Sequence, residues 1–148
     1  MKILLASDHA GFELKNKIFQ FLKDESFEVE DMGAHILDKN DDYPKIILPV
    51  AMRIVADHSI KAIIFGKSGQ GEAIICNRLP GIRAVVYYGK NPEVLKLSRE
   101  HNDANILSIG ASFIEEDEAR EAIKLWISTP FSEDQRHIRR NDMLDTIE

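Results

Sequence analysis

The chain has 148 residues, 44% of them hydrophobic and 30% charged, and carries a net charge of −6. That is one globular domain, residues 1–148, large enough to close a core without a metal or disulfide staple. The acidic balance argues against nucleic-acid binding, no apolar run approaches the roughly 20 residues that span a bilayer, and the single cysteine, Cys76, cannot form an internal disulfide.

One lone thiol fits a reducing, cytoplasmic setting. An anionic ligand would have to be met by a local basic site, since the overall field repels it.

The pattern alternates apolar strand and amphipathic helix. The opening MKILLAS is too short in its apolar part for a signal peptide and reads as a first strand, Ile3–Ala6. Leu14, Ile18, Phe21 and Leu22 recur at helical spacing between Phe12 and about Asp24. A second strand starts at Phe27–Val29. A polar loop, 33–42, ends in Asp42-Tyr43-Pro44, and Pro44 suits the first turn of a helix whose apolar face is Ile47, Leu48, Ala51, Ile54 and Val55. Ile60–Phe65 is nearly continuous in apolar residues, so both faces of that strand are expected to be covered. After a glycine turn come a short helix over Glu72–Asn77 and a strand over Ile82–Tyr87. Asn91-Pro92-Glu93 predicts a helix start with Asn as cap. Ile106–Ile109 is a fifth strand, Glu115–Ile127 a helix opened by acids, and Glu133–Ile147 a charged last helix outside any βα unit. Alternating units of this kind predict a Rossmann-like α/β/α sandwich on a five-stranded parallel sheet, with an extra C-terminal helix. Ligands of such sheets lie beyond the carboxyl ends of the strands.

The turn Gly66-Lys67-Ser68-Gly69-Gln70-Gly71-Glu72 falls at such an end. It is not a phosphate loop, because Lys61 stands where the first glycine of that pattern belongs. It is not a dinucleotide fingerprint either, because Ile74 replaces the third glycine. Its bare backbone, opening a helix, presents successive N–H groups as an anion hole. A tight turn in which the glycines serve geometry alone stays open as an alternative. Glu72 is equally readable as a partner of the helix dipole. Beside oxyanion donors, however, a carboxylate is what enolisation of a carbonyl compound needs.

SDHAG at 7–11, DYP at 42–44, GKSGQGE at 66–72, NRLPGIRA at 77–84, SREHNDAN at 98–105 and QRHIRR at 135–140 follow one another in register. Together they resemble the type B ribose-5-phosphate isomerase family, which includes galactose-6-phosphate isomerase subunits. The resemblance implies a cofactor-free enzyme, a homodimer or dimer of dimers whose active sites take residues from two subunits, and a small sugar phosphate as substrate. It further implies that Asp8 and His101 open the sugar ring, and that Ser68 with the backbone of Gly69, Gln70 and Gly71 holds the enediolate. Tyr43 and Asn102 would contact hydroxyls, and His9, Arg136 and Arg140 would hold the phosphate. One branch of the family uses a cysteine base at the position of Gly66; the other has glycine there and a glutamate after the loop, as this chain has Glu72.

The residues themselves admit other readings. Arg136 and Arg140 share a helical face that suits a phosphate, or a solvated face pairing with Glu133 or Asp134. His101 can be a C-terminal helix charge, His9 and Asp8 can be caps, and Cys76 reads as a small buried apolar residue. Where the family usually has Gly-Ala/Ser-Arg, this chain has Gly110-Ala111-Ser112; either the phosphate site lacks one charge, partly replaced by Lys67 or Lys90, or the distal end of the substrate differs. The expected activity is ribose 5-phosphate to ribulose 5-phosphate isomerisation. A hexose 6-phosphate isomerase and a non-catalytic sugar-phosphate-binding subunit are the alternatives. No cluster has metal-ligand spacing.

Overall fold

A computed structural model describes residues 1–147. In chain order the elements are β1 (Lys2–Ser7), α1 (Phe12–Asp24), β2 (Glu28–Asp31), α2 (Tyr43–Ala56), β3 (Lys61–Gly66), α3 (Gln70–Cys76), β4 (Ala84–Tyr87), α4 (Glu93–Glu100), β5 (Ile106–Gly110), a 3-10 turn (Ala111–Phe113), α5 (Glu116–Ser128) and α6 (Gln135–Asp145). All strand pairs are parallel, in the order β2-β1-β3-β5-β4. No helix among the described residues is long and apolar enough to cross a membrane.

The continuous apolar runs place β1, β3 and β5 in the middle of the sheet, covered on both faces. Strand alternation then divides the core. Ile3, Leu5, Ile63, Phe65, Leu107 and Ile109 pack with Ile18 and Leu22 of α1, Leu95 of α4, and Ile123 and Trp126 of α5. Leu4, Ala6, Ala62, Ile64 and Ile106 face Ile47, Val50 and Ile54 of α2 and Cys76 of α3. Each fully buried Val, Leu, Ile or Phe among them contributes roughly 1.5–3 kcal/mol of transfer free energy.

Several boundaries differ from the sequence reading; α3, for instance, runs Gln70–Cys76 rather than Glu72–Asn77, and four other differences have an evident local reason. The edge strand β2 runs Glu28–Asp31, because pairing with Lys2–Leu5 fixes its register. Its polar Glu30 is held by Lys2 at 3.2 Å and Arg53 at 2.9 Å. β4 starts at Ala84, since Ile82 N–H is turned back to Leu79 O. α4 starts after Pro92, and Asn91 accepts Val94 N–H through its backbone carbonyl rather than capping with its side chain. Finally, Glu133 has φ of +57°, which no helix accommodates, so α6 begins after Asp134, whose carboxylate accepts Arg136 N–H at 3.0 Å.

α1 leaves β1 over one face and α3 leaves β3 over the other, so the chain splays between the carboxyl ends of these neighbouring strands. That is the switch-point crevice of an open α/β sheet. α6 packs at the opposite end. Its Asp145 pairs with Arg83, just before β4, at 2.8 Å, and its Asn141 amide donates to His101 O at 3.2 Å.

Candidate active site

Asp8 directly follows β1 and Gly66 ends β3, on adjacent strands in the register Ser7↔Phe65. The Asp8 carboxylate accepts Gly11 N–H at 3.1 Å, so it does cap the turn into α1, while the side chain stays buried at the crevice. From α3, Glu72 reaches back toward β3 and is only 4% exposed. A β-carbon added to Gly66 would fall inside the Glu72 carboxylate. The acid therefore occupies the volume that any side chain at 66 would need.

The loop between Gly66 and α3 is tied down through its carbonyls. Lys67 O accepts Ser112 N–H at 3.1 Å, and Gly69 O accepts the Ser108 hydroxyl at 2.7 Å and Ala73 N–H at 3.2 Å. Gly69 has φ of +78°, which turns the chain. With the carbonyls engaged, the N–H groups of Ser68, Gly69 and Gly71 have no acceptor among the described residues. Gln70 differs from the expectation, because its N–H is used internally by the Ser68 hydroxyl at 3.3 Å. Three donors of the loop are thus left without a partner among the described residues, as an anion-binding turn requires.

Tyr43, the first residue of α2, lies against Gly71, where a β-carbon would come 2.5 Å from the phenol oxygen. His9 is half-exposed, and its Nδ1 is 2.7 Å from Asp41 Oδ1. The Asp41 hydrogen bond raises the His9 pKa above its ordinary value despite some desolvation. Burial pushes the Glu72 carboxyl up to about 7, opposed by its own N–H and reinforced by contact with Asp8 and by the charge of Asp41. Cys76, one turn further on α3, is fully buried and pushed up to about 12 by burial, so it is a core residue.

The structure does not bring the remaining candidates to this crevice. α4 runs antiparallel to the strands, so His101 and Asn102 lie at the amino ends of β4 and β5, where Asn102 O accepts Arg83 Nε at 2.7 Å. His101 stacks on His137 of α6, with ring centroids 4.3 Å apart. Arg136 and Arg140 are exposed on α6; Arg136 also lies 3.6 Å from Asp134, so the solvated-pair reading holds for it in part. A cavity of about 680 Å³ opens at this amino end, lined in part by Pro80, Ile82, Val85, Asn102 and Leu144. Its one carboxylate, Asp145, is spent on Arg83 at 2.8 Å, so the Glu72 crevice is the candidate site for a base. One chain thus holds two half-sites at opposite ends of its sheet: Asp8, His9, Tyr43, the 66–72 loop and Glu72 at one, and His101, Asn102, Arg136 and Arg140 at the other.

Sequence reasoning passed over Asp41, whose signal was its place directly before Asp42-Tyr43-Pro44 in a loop that returns to the crevice. Among the described residues no group of three or more His, Cys, Asp or Glu side chains could hold a metal ion.

The chain matches the family described as Ribose/Galactose Isomerase over residues 3–144. It is 40% identical to ribose-5-phosphate isomerase B of Mycobacterium tuberculosis H37Rv over 144 residues, covering 97% of this chain and 88% of that protein. It is 33% identical to ribose-5-phosphate isomerase B of Escherichia coli K12, covering 99% and 96%. Among solved structures, ribose-5-phosphate isomerase B of Mycoplasma genitalium with bound ribulose-5-phosphate superposes with a TM-score of 0.91 at 30% identity, covering 97% and 93%. A buried acid at the β3 end, a donor loop beside it and this similarity along the whole fold lead to one conclusion: the chain belongs to the ribose/galactose isomerase family, among the type B ribose-5-phosphate isomerases.

Proposed function

We propose that this protein interconverts ribose 5-phosphate and ribulose 5-phosphate through an enediolate, with Glu72 as the base. The observation that carries the reading is the buried Glu72 carboxyl beside three unengaged N–H groups. In the forward direction the Glu72 carboxylate takes the proton from C2. The C2–H electron pair forms the C1–C2 double bond, and the C1 carbonyl oxygen becomes the enediolate oxygen. Ser68, Gly69 and Gly71 N–H stabilise that charge. Protonated Glu72 then returns the proton to C1 while the O2 proton passes to O1, leaving a ketone at C2. A base that ionises at about 7 is matched to both halves of this shuttle. Tyr43 orients hydroxyls, and His9 faces the phosphate.

The second half-site comes from another copy. Asp8 and the partner subunit's His101 open the ring, the partner's Asn102 meets a hydroxyl, and the partner's Arg136 and Arg140 join His9 at the phosphate. The opposite-end placement of the two half-sites in one chain supports this assembly, because a symmetric dimer juxtaposes unlike ends twice. The relatives' names support the pentose substrate, and a comparison of specificity constants for ribose 5-phosphate and hexose 6-phosphates tests it.

Turnover in heavy water decides the base. The enzyme is expected to exchange the C2 hydrogen of ribose 5-phosphate for deuterium, and Glu72→Gln to abolish exchange while retaining ligand-induced thermal stabilisation. Full turnover by Glu72→Gln would overturn the assignment.

A further inference from the structure

The loop between β2 and α2 carries a carboxylate into the crevice that the reaction as proposed does not use. Asp41 is held in place by its own backbone: its N–H donates to Asp38 O at 3.1 Å, and the Asp38 side chain closes the turn by accepting Asn40 N–H at 2.9 Å. Two residues later the same loop delivers Tyr43 onto Gly71. The Asp41 side chain is nine-tenths buried. Its Oδ1 meets His9 Nδ1 at 2.7 Å, and its Oδ2 is buried with no partner among the described residues.

A buried carboxylate with one oxygen on an imidazole and the other unused is costly unless the imidazole carries charge. The charged groups acting on His9 are all acids: Asp8 from its own turn, and Asp38 and Asp41 from the facing loop. Asp41 is the one in hydrogen-bond contact. It fixes the ring through Nδ1, and that leaves Nε2 as the only nitrogen able to donate outward. His9 remains half-exposed, so the outward nitrogen is reachable.

We propose that Asp41 is a positioning residue: it orients His9 and keeps it cationic, so that Nε2–H is presented to the dianionic end of the substrate. This rests on the reading that His9 faces the phosphate. The device gives a chain of net charge −6 a local cation at the rim of an acidic crevice. It also shifts the His9 charge toward the pH range in which Glu72 ionises.

Asp41→Asn separates charge from geometry, since the amide oxygen still accepts from Nδ1. Four enzymes are compared with ribose 5-phosphate across pH 6–8.5: wild type, Asp41→Asn, His9→Asn and the double variant. Substrate phosphate ionisation is common to all four and cancels in ratios. Asp41→Asn is expected to raise KM about fivefold or more at pH 8, with kcat less affected, and to converge on wild type at pH 6. NMR titration of the His9 ring should show a lower pKa in Asp41→Asn. In the His9→Asn background the Asp41 change should leave KM unmoved. A KM effect of Asp41→Asn that is flat with pH, or that persists without His9, overturns the proposal. If His9→Asn itself leaves KM unchanged while the His9 ring still titrates lower in Asp41→Asn, the phosphate reading fails and the Asp41–His9 coupling stands.

Discussion

The burial that would suit Glu72 to the proposed role of base works against the fold, and the size of that conflict can be measured. A glutamate that ionises near 4.5 in the unfolded chain ionises at about 7 in the folded one, chiefly through burial. Between these values the native protein holds a proton that the unfolded chain has released. Stability is therefore lost as pH rises through that window, and the loss is complete above about 7. A gap of about 2.5 pH units at 1.36 kcal/mol each gives about 3 kcal/mol. Solvent at the crevice mouth screens part of this, leaving about 2 kcal/mol. Glu72→Gln keeps the shape and removes the charge. Denaturant unfolding of wild type and Glu72→Gln at fixed protomer concentration should give coincident stabilities near pH 4.5. By pH 8 the inactive variant should be ahead by about 2 kcal/mol, or about 4–8 °C in Tm. A pH-independent difference between the two would refute the argument that burial of this carboxyl sets its ionisation.

Other expectations follow from the same geometry. In wild type, kcat should fall as pH drops below about 7, because the base is then protonated; a pH–rate profile flat from 5 to 8 contradicts this. Gly66→Ala should lower kcat by about 100-fold or more, since the added methyl displaces the base, with substrate-induced thermal stabilisation as the check that the fold persists. Mixing Glu72→Gln with His101→Asn, each inactive alone, and re-forming dimers should restore about a quarter of wild-type sites; no recovery after subunit exchange excludes a shared site. Iodoacetamide should leave activity intact under native conditions, because Cys76 is fully buried and its thiol is pushed up to about 12.

Much of this was legible in the order of residues. The apolar runs at 3–6, 60–65 and 106–109 announced three of the strands, and the helix over Phe12–Asp24 fell where its periodicity put it. The place of Glu72 beside the glycine turn was readable because it follows the last glycine directly in the chain. The insertion of β5 between β3 and β4 was not readable, since strand order is decided by which faces the helices cover and no local pattern records it. The sign of the Glu72 pKa change was equally hidden: burial and N–H donors oppose one another, and only their distances choose. His101 and Asn102 stood among the candidates by resemblance, but the direction of α4 carries them to the far end of the sheet. Asp41 was missed because a run of aspartates reads as a solvated loop until the fold turns one of them onto a histidine.

The overlap between Glu72 and the space above Gly66 also bears on how such sites change over generations. Two reactive groups cannot both keep their places there, because a side chain at 66 displaces the Glu72 carboxylate. A lineage that moves its proton acceptor from one position to the other must abandon the old group before the new one fits, or exchange both together. An intermediate with both groups would push the acid out of its place, and one with neither would have no acceptor there, which favours two separate inheritances over a gradual slope.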